Sequence, residues 1–186
     1  MNDIYKKVEI SYFDKQDYQQ AYNLCLEGIK NNEIKCIRFM GWLYAEGHGC
    51  PKDEEKALSY FSRAAALGDG EAEYGIAKIY YERKDYLEAI VYLEKAINKG
   101  FYSASRILGM IYYYGLGIER DIDKAKELYD QAANNGNLMA ELIIAKMLFH
   151  GYDGFLGRLK SIPLIFISAI KIYKEMVKNE HSQKLM

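Results

Sequence analysis

Small side chains recur at regular intervals among the apolar and polar positions of this chain. Within apolar stretches a small residue returns after steps of 36, 32 and 36 residues, at Gly41, Ala77, Gly109 and Ala145. A second series has the same steps followed by one of 44 residues, and it comprises Ala21, Ala57, Ala89, Ala125 and Ala169. A period of about 20–50 residues predicts a repeat protein whose copies each bury an apolar face against the next copy.

Each copy is predicted to form two α-helices. The first helix, called helix A, carries an apolar residue, a small residue and an aromatic residue three positions later, as in Met40, Gly41 and Tyr44. The second, helix B, carries two small residues seven positions apart, such as Ala57 and Ala64, which lie on one stripe and let neighbouring helices approach closely. Large side chains are expected to fill the remaining space, namely Leu58, Phe61, Leu93 and Tyr129.

A Gly-x-Gly sequence separates helices A and B in two of the copies, at residues 47–49 and 115–117. Glycine adopts positive φ angles without steric cost, so these sequences predict a tight turn. The alternative, a phosphate-binding loop, requires a preceding strand and a following Lys-Ser/Thr, and the sequence has neither. Single glycines at Gly68, Gly100 and Gly136 are expected to end the B helices.

The segments MGWLYAEGHGCPKDEEKALSYFSRAAALG (40–68) and LGMIYYYGLGIERDIDKAKELYDQAANNG (108–136) resemble the Sel1-like repeat family, a branch of the tetratricopeptide-like solenoids. The resemblance implies an all-α fold: a right-handed α-solenoid of about five antiparallel helix pairs. We expect one domain with approximate repeat units at 2–33, 34–69, 70–101, 102–137 and 138–180. In the last unit we expect a long loop at 151–161 and a C-terminal capping helix at 162–179.

The same resemblance implies that the A helices line a concave surface that binds another protein. Its groove-facing positions include the only Trp, several Tyr, Met and Arg, which are residue types enriched at the centres of protein interfaces. The alternative is that the aromatic side chains pack between repeats. The predicted partner-binding residues are Arg38, Trp42, Glu46, Tyr74, Lys78, Tyr81, Arg106, Met110, Tyr113, Tyr114, Lys146 and Phe149.

Charge and cysteine content narrow the function classes. The formal net charge is −1, with 25 Lys and Arg against 26 Asp and Glu, and a general nucleic-acid-binding protein normally has a strong basic excess. The N-terminal residues contain no apolar core of a secretion signal, so the three cysteines are expected to be reduced thiols in the cytoplasm.

Candidate catalytic and metal-ligating residues are few. His48 and Cys50 offer two ligands without a second pair, and His150 is predicted at the end of a helix, where its charge would favour the helix dipole. The acidic run Asp53–Glu55 is expected to stabilise the start of a helix. The sequence therefore predicts no catalytic site, no metal, no cofactor and no enzymatic activity.

The C-terminal segment is basic, unlike the rest of the chain. Residues 155–186 hold six Lys and Arg against two Asp and Glu. Polar residues at helical spacing, Ser168, Lys171, Lys174, Glu175 and Lys178, predict a polar stripe on an otherwise apolar helix. This helix is expected to cap the solenoid, while docking of a partner, self-association and contact with an anionic membrane surface are the alternatives.

These observations favour a non-catalytic cytoplasmic adaptor or scaffold that binds a peptide segment or a folded domain of another protein. One alternative is a dedicated inhibitor or immunity protein that neutralises a single bacterial toxin or enzyme. Another is a regulator that associates with a membrane surface through the basic amphipathic C-terminal helix. We expect an inhibitor to hold one target tightly and an adaptor to hold several segments weakly.

Overall fold

The computed structural model describes residues 4–152 and 154–184, with side chains except those of residues 155 and 179–184. These residues form helices joined by short turns, with no strand among them, which confirms the all-α solenoid prediction. A π-helical turn, Ile10–Asp14, follows the first α-helix. The α-helices are α1 (Ile4–Glu9), α2 (Tyr18–Lys30), α3 (Ile34–Glu46), α4 (Glu54–Ala66), α5 (Gly70–Glu82), α6 (Tyr86–Asn98), α7 (Ser103–Tyr114), α8 (Ile122–Asn134), α9 (Leu138–Phe149) and α10 (Gly154–Lys184).

The chain divides after Phe101 into two compact bodies. In the N-terminal body, successive helices from α1 to α6 pack against one another, and α3 also contacts α5. In the C-terminal body, α7 packs on α8, α8 on α9 and α9 on α10. Residues 2, 3 and 153, which belong to the predicted repeat units, lie outside the described residues.

The recurrent small residues admit large aromatic side chains from the B helices. Phe61 on α4 is fully buried, and its ring lies against Gly41 of α3 and Gly75 of α5. A Cβ atom added at Gly41 or Gly75 would lie 2.7 or 2.6 Å from this ring, which is closer than atoms pack. In the C-terminal body Gly109 of α7 similarly faces the buried ring of Tyr129 on α8.

Turn and cap chemistry agrees with the predictions. Gly47, Gly49, Gly115 and Gly117 have φ angles between 67° and 76°, so the Gly-x-Gly sequences supply left-handed turn residues. Side chains of Asp or Asn at the N-caps accept hydrogen bonds from backbone N–H groups that the first helical turn leaves unpaired. These caps are Asp17, Asp53, Asp69, Asp121 and Asn137.

The prediction of a loop at 151–161 is wrong. Helix α10 begins at Gly154, eight residues before the predicted start at residue 162, and it continues through Pro163. Pro163 removes one helical hydrogen bond to the carbonyl of Leu159, but both residues are exposed, so water can satisfy that oxygen. Ser161 does not cap a helix, because its hydroxyl donates to the carbonyl of Arg158, 2.7 Å away.

The residues of the predicted polar stripe on this helix differ in burial. Ser168 is 3% exposed and lies on the side of α10 that faces α9. A small hydroxyl side chain occupies the close contact between the two helices, and most of the large apolar side chains of α10 are exposed.

Candidate functional site

The predicted partner-binding residues divide equally between the two bodies. The N-terminal body holds Arg38, Trp42, Glu46, Tyr74, Lys78 and Tyr81, and the C-terminal body holds Arg106, Met110, Tyr113, Tyr114, Lys146 and Phe149. Each set is described within its own body.

The N-terminal body contains a cavity of about 700 Å³ along α1, the π-helical turn and α3. Three predicted residues line it, Arg38, Trp42 and Glu46, whereas Tyr74, Lys78 and Tyr81 do not. The remaining lining residues are not among the predicted partner-binding residues: Tyr5, Glu9, Tyr12, Phe13, Lys35, Phe39, His48 and Glu71.

Aromatic rings form one wall of this cavity. Tyr12 lies edge-on to Phe39 and to Phe13, with ring centroids 5.0 and 4.8 Å apart. Phe13 is 55% exposed, although Phe39 beneath it is buried. The π-helical turn carries Tyr12 and Phe13 to this position, and turns of this kind are frequent at functional sites. The sequence SYFD at residues 11–14 reveals that aromatic side chains are present, but it does not predict the π-helical turn that exposes Phe13.

His48 belongs to the aromatic wall. Its Nδ1 lies 2.7 Å from the hydroxyl oxygen of Tyr12, and its ring stacks on Tyr18 with centroids 4.4 Å apart. Burial raises the pKa of Tyr12 above its usual value, so this phenol stays protonated near neutral pH. The first Gly-x-Gly turn therefore holds an imidazole against two tyrosines, which gives His48 a structural position in the wall.

Arg38 is buried beneath the cavity floor and is already paired. Its two terminal nitrogens contact Asp69 at 2.6 Å and Glu71 at 3.0 Å. Burial alone would lower the pKa of Arg38, but the two carboxylates raise it above its usual value. Burial raises the pKa of the Glu71 carboxyl. Since Asp69 also caps α5 through the backbone N–H of Ala72, Arg38 ties α3 to the start of α5, and a partner would compete with these contacts.

The other predicted residues of the N-terminal body make contacts within it. Trp42 lies edge-on to Phe61, with centroids 4.9 Å apart, and the Lys78 ammonium lies 5.1 Å from the Trp42 ring centre. Lys78 Nζ also donates to Glu46 Oε1 at 2.8 Å, which lowers the pKa of Glu46. Tyr74 contacts Phe101, and Tyr81 contacts Tyr86. The alternative of intramolecular packing describes much of this set, and its binding role stays a prediction.

In the C-terminal body the predicted residues are more exposed. Tyr114 is 64% exposed and lies edge-on to Tyr113, whose ring faces the guanidinium of Arg120 at 5.4 Å. Arg120 Nε donates to the Tyr113 carbonyl oxygen at 2.9 Å. Tyr113 lines a cavity of about 230 Å³ with Arg120, Ile122, Met147, His150, Gly151 and Tyr152.

The remaining predicted residues of this body differ in burial. Phe149 and Lys146 are exposed, while Arg106 and Met110 are half-buried. The partner-binding role of these four residues also stays a prediction.

Among the side chains that the structure describes, no three or more from His, Cys, Asp and Glu come together in a way that could hold a metal ion. No helix within residues 4–152 and 154–184 is both long and apolar enough to cross a bilayer.

Comparison with known proteins gives consistent matches to one family. The profile described as Sel1 repeat matches residues 34–69, 70–101 and 103–137, which is more than half of the chain. A Sel1 repeat protein of Oxalobacter formigenes has a similar crystal structure, with a TM-score of 0.72 and 22% identity, over 88% of this chain and 72% of that one. At that identity the likeness concerns the fold.

Two similar sequences come from larger proteins. The ERAD-associated E3 ubiquitin-protein ligase component HRD3 of Candida glabrata is 36% identical over 40% of this chain and 9% of its own length. A putative sel1-like repeat-containing protein of Acanthamoeba polyphaga mimivirus is 27% identical over 72% of this chain and 25% of its own length. The chain thus spans a quarter or less of these relatives.

Proposed function

Because the chain belongs to the Sel1 repeat family, we propose that it is a non-catalytic interaction module, an adaptor or scaffold that binds a segment of another protein. The relative from Candida glabrata is by its name a component of a ubiquitin-protein ligase. A component of an assembly binds other proteins, and repeat proteins present extended surfaces for such binding. The partner-binding site that we propose is the aromatic cavity of the N-terminal body, the cavity along α1, the π-helical turn and α3.

One observation carries this proposal: the cavity exposes aromatic side chains that the body itself does not cover. Phe13 is more than half exposed, and Tyr5, Tyr12 and Trp42 are partly exposed at the cavity surface. Rings of this kind supply most of the energy of protein interfaces when a partner side chain fills the pocket between them.

The charged groups at the cavity indicate what kind of side chain enters it. Arg38 is paired with Asp69 and Glu71, and Glu46 is paired with Lys78, so these charges are satisfied inside the body. A charged partner side chain that approached Arg38, Glu71 or Glu46 would have to replace existing ion pairs, whereas an apolar or aromatic one gains contact with the rings at no such cost. We therefore expect the bound segment to contribute an apolar or aromatic anchor.

The test starts with a displayed library of random peptides selected on the full chain. Peptides enriched for one aromatic or large aliphatic position are expected, and the best is then titrated against variants by calorimetry. Phe13→Ala is expected to weaken binding at least tenfold, because it removes an exposed ring of the cavity without emptying the core. Phe166→Ala serves as the matched control, since Phe166 is 66% exposed on α10 and outside the cavity.

Equal affinity of Phe13→Ala and the unsubstituted chain for a selected peptide would contradict the cavity as the site. Loss of affinity in Tyr114→Ala and Phe149→Ala instead would move the site to the C-terminal body. Trp42→Ala is a poorer first variant, because Trp42 packs on the buried Phe61 and its loss would disturb the core. The inhibitor alternative predicts one tightly bound folded target, and no contact among the described residues favours it over short segments.

A further inference from the structure

Helix α10 has its small and polar residues on the inside and its large apolar residues on the outside. Ser161 and Ser168 are buried on the side that packs on α9, and Gly157 lies with them. The outward face carries large apolar side chains that are 48–68% exposed, namely Leu156, Leu159, Ile162, Phe166, Ile167, Ile170, Tyr173 and Met176. Large apolar side chains that gather on one exposed face of a helix mark a surface that contacts another molecule.

Lysine residues follow one edge of this apolar face. Lys171, Lys174 and Lys178 are spaced three and four residues apart, which places them on one side of a helix. Lys171 pairs with Glu141 of α9 at 2.8 Å, but no described carboxylate lies within ion-pair distance of Lys174 or Lys178. Residues 155–186 hold six Lys and Arg against two Asp and Glu, so the apolar face lies in the most basic part of the chain.

We propose that α10 lies in the plane of an anionic membrane surface. Its outward face, defined by the eight exposed apolar residues named above from Leu156 to Met176, enters the headgroup and acyl-chain boundary. The lysines at its edge contact anionic headgroups. Helices that bind membranes in this way combine aromatic and aliphatic side chains on one face with cationic side chains beside them. Such a helix need not span the bilayer.

Charge favours a membrane over a second copy of this chain. When two copies of a helix pair antiparallel about a two-fold axis, each edge lies beside the same edge of its partner. A pairing centred on the apolar face would place Lys171 and Lys174 of one copy beside residues 158–161 of the other, which include Arg158 and Lys160, so like charges would meet and repel. An anionic lipid surface instead offers both an apolar interior and negative charges at the depth of the lysine ammonium groups.

The experiment is flotation of the full chain with two kinds of vesicle, phosphatidylcholine alone and phosphatidylcholine mixed with phosphatidylserine. We expect flotation with the anionic vesicles and at least tenfold less with the neutral ones. Phe166→Ser with Ile170→Ser is expected to reduce flotation at least tenfold by removing apolar contacts. Lys174→Glu with Lys178→Glu is expected to abolish the preference for anionic vesicles.

A matched control uses the same spacing on another helix. Leu87 and Val91 of α6 are 63% and 44% exposed and lie four residues apart, as Phe166 and Ile170 do. Leu87→Ser with Val91→Ser should leave flotation unchanged, and light scattering should report a monomer for all variants. Absence of flotation would overturn the proposal, as would flotation independent of phosphatidylserine. A dimer that Phe166→Ser with Ile170→Ser dissociates, without flotation, would identify a second copy as the occupant.

Discussion

Helices α4 and α10 present the same kind of residue to opposite environments. Phe61 of α4 is fully buried, with its ring between Gly41 of α3 and Gly75 of α5. Phe166 of α10 is 66% exposed, because it lies on the side of α10 that faces away from α9, the helix on which α10 packs. A helix in a repeat protein becomes core only when a neighbour covers each of its apolar sides.

The difference explains where the stability of the chain resides. Burying a Phe side chain contributes roughly 1.5–3 kcal/mol relative to leaving it exposed. Phe61 realises that contribution, and its ring also fills the space that Gly41 and Gly75 leave open. The apolar face of α10 gains little of this burial free energy within the chain. An external contact would therefore stabilise that face strongly.

The largest difference in stability is expected between two single variants, one in α4 and one in α10, that each replace a Phe with Ala. Phe61→Ala should lower the free energy of unfolding by about 3–5 kcal/mol, because it leaves a cavity between two helices. Phe166→Ala should change it by less than about 0.5 kcal/mol, because the ring is exposed. The measurement is urea unfolding followed by fluorescence of Trp42, the only Trp of the chain and a direct neighbour of Phe61, together with circular dichroism. Equal effects of the two substitutions would break the comparison.

A smaller loss of stability is expected from a substitution in α5, the second helix that packs on α4. Gly75→Ala places a methyl group 2.6 Å from the Phe61 ring, so we expect a loss of about 1–2 kcal/mol even though alanine favours helices. Gly109→Ala is the matched control, because its added carbon would lie 3.1 Å from the Tyr129 ring and 3.2 Å from the Ala125 carbonyl oxygen, distances that a shift of a few tenths of an ångström relieves. Its free energy of unfolding should stay within about 0.5 kcal/mol of the unsubstituted value. A larger loss in Gly109→Ala than in Gly75→Ala would show that the glycines do not act through these rings.

The smallest change in stability is expected from breaking the ion pair between Glu46 of α3 and Lys78 of α5. The hydrogen bond from Lys78 lowers the pKa of Glu46, so this carboxylate stabilises the fold above its unfolded pKa of about 4.3 and loses that contribution as pH falls through the lower folded value. Glu46→Gln should therefore cost less than about 1 kcal/mol near neutral pH, as exposed pairs do. Thermal melts between pH 7 and pH 3 should bring variant and unsubstituted chain together at the acidic end. A difference that grows towards low pH would contradict this assignment.

The candidate site was less predictable than the fold. Arg38, Trp42 and Glu46 were placed on the predicted binding surface by the family resemblance, and these three residues line the cavity. The positions of Tyr12, Phe13 and His48 at the cavity were not predicted, because they depend on a π-helical turn and on a contact between residues 36 positions apart in the sequence. Spacing also could not reveal that Arg38 is buried in ion pairs with Asp69 and Glu71.

The sequence by itself determined the helix pairs, their period and the turns between them, because small residues, N-cap side chains and positive-φ glycines act over a few residues. It also determined that Phe61 and Tyr129 would fill space beside small residues. Only the tertiary structure decided which apolar faces are covered. Residues 154–161 form helix and not loop, and Phe166 stays in solvent while Phe61 does not, because burial depends on whether another helix lies across the face, and that is a property of the whole arrangement.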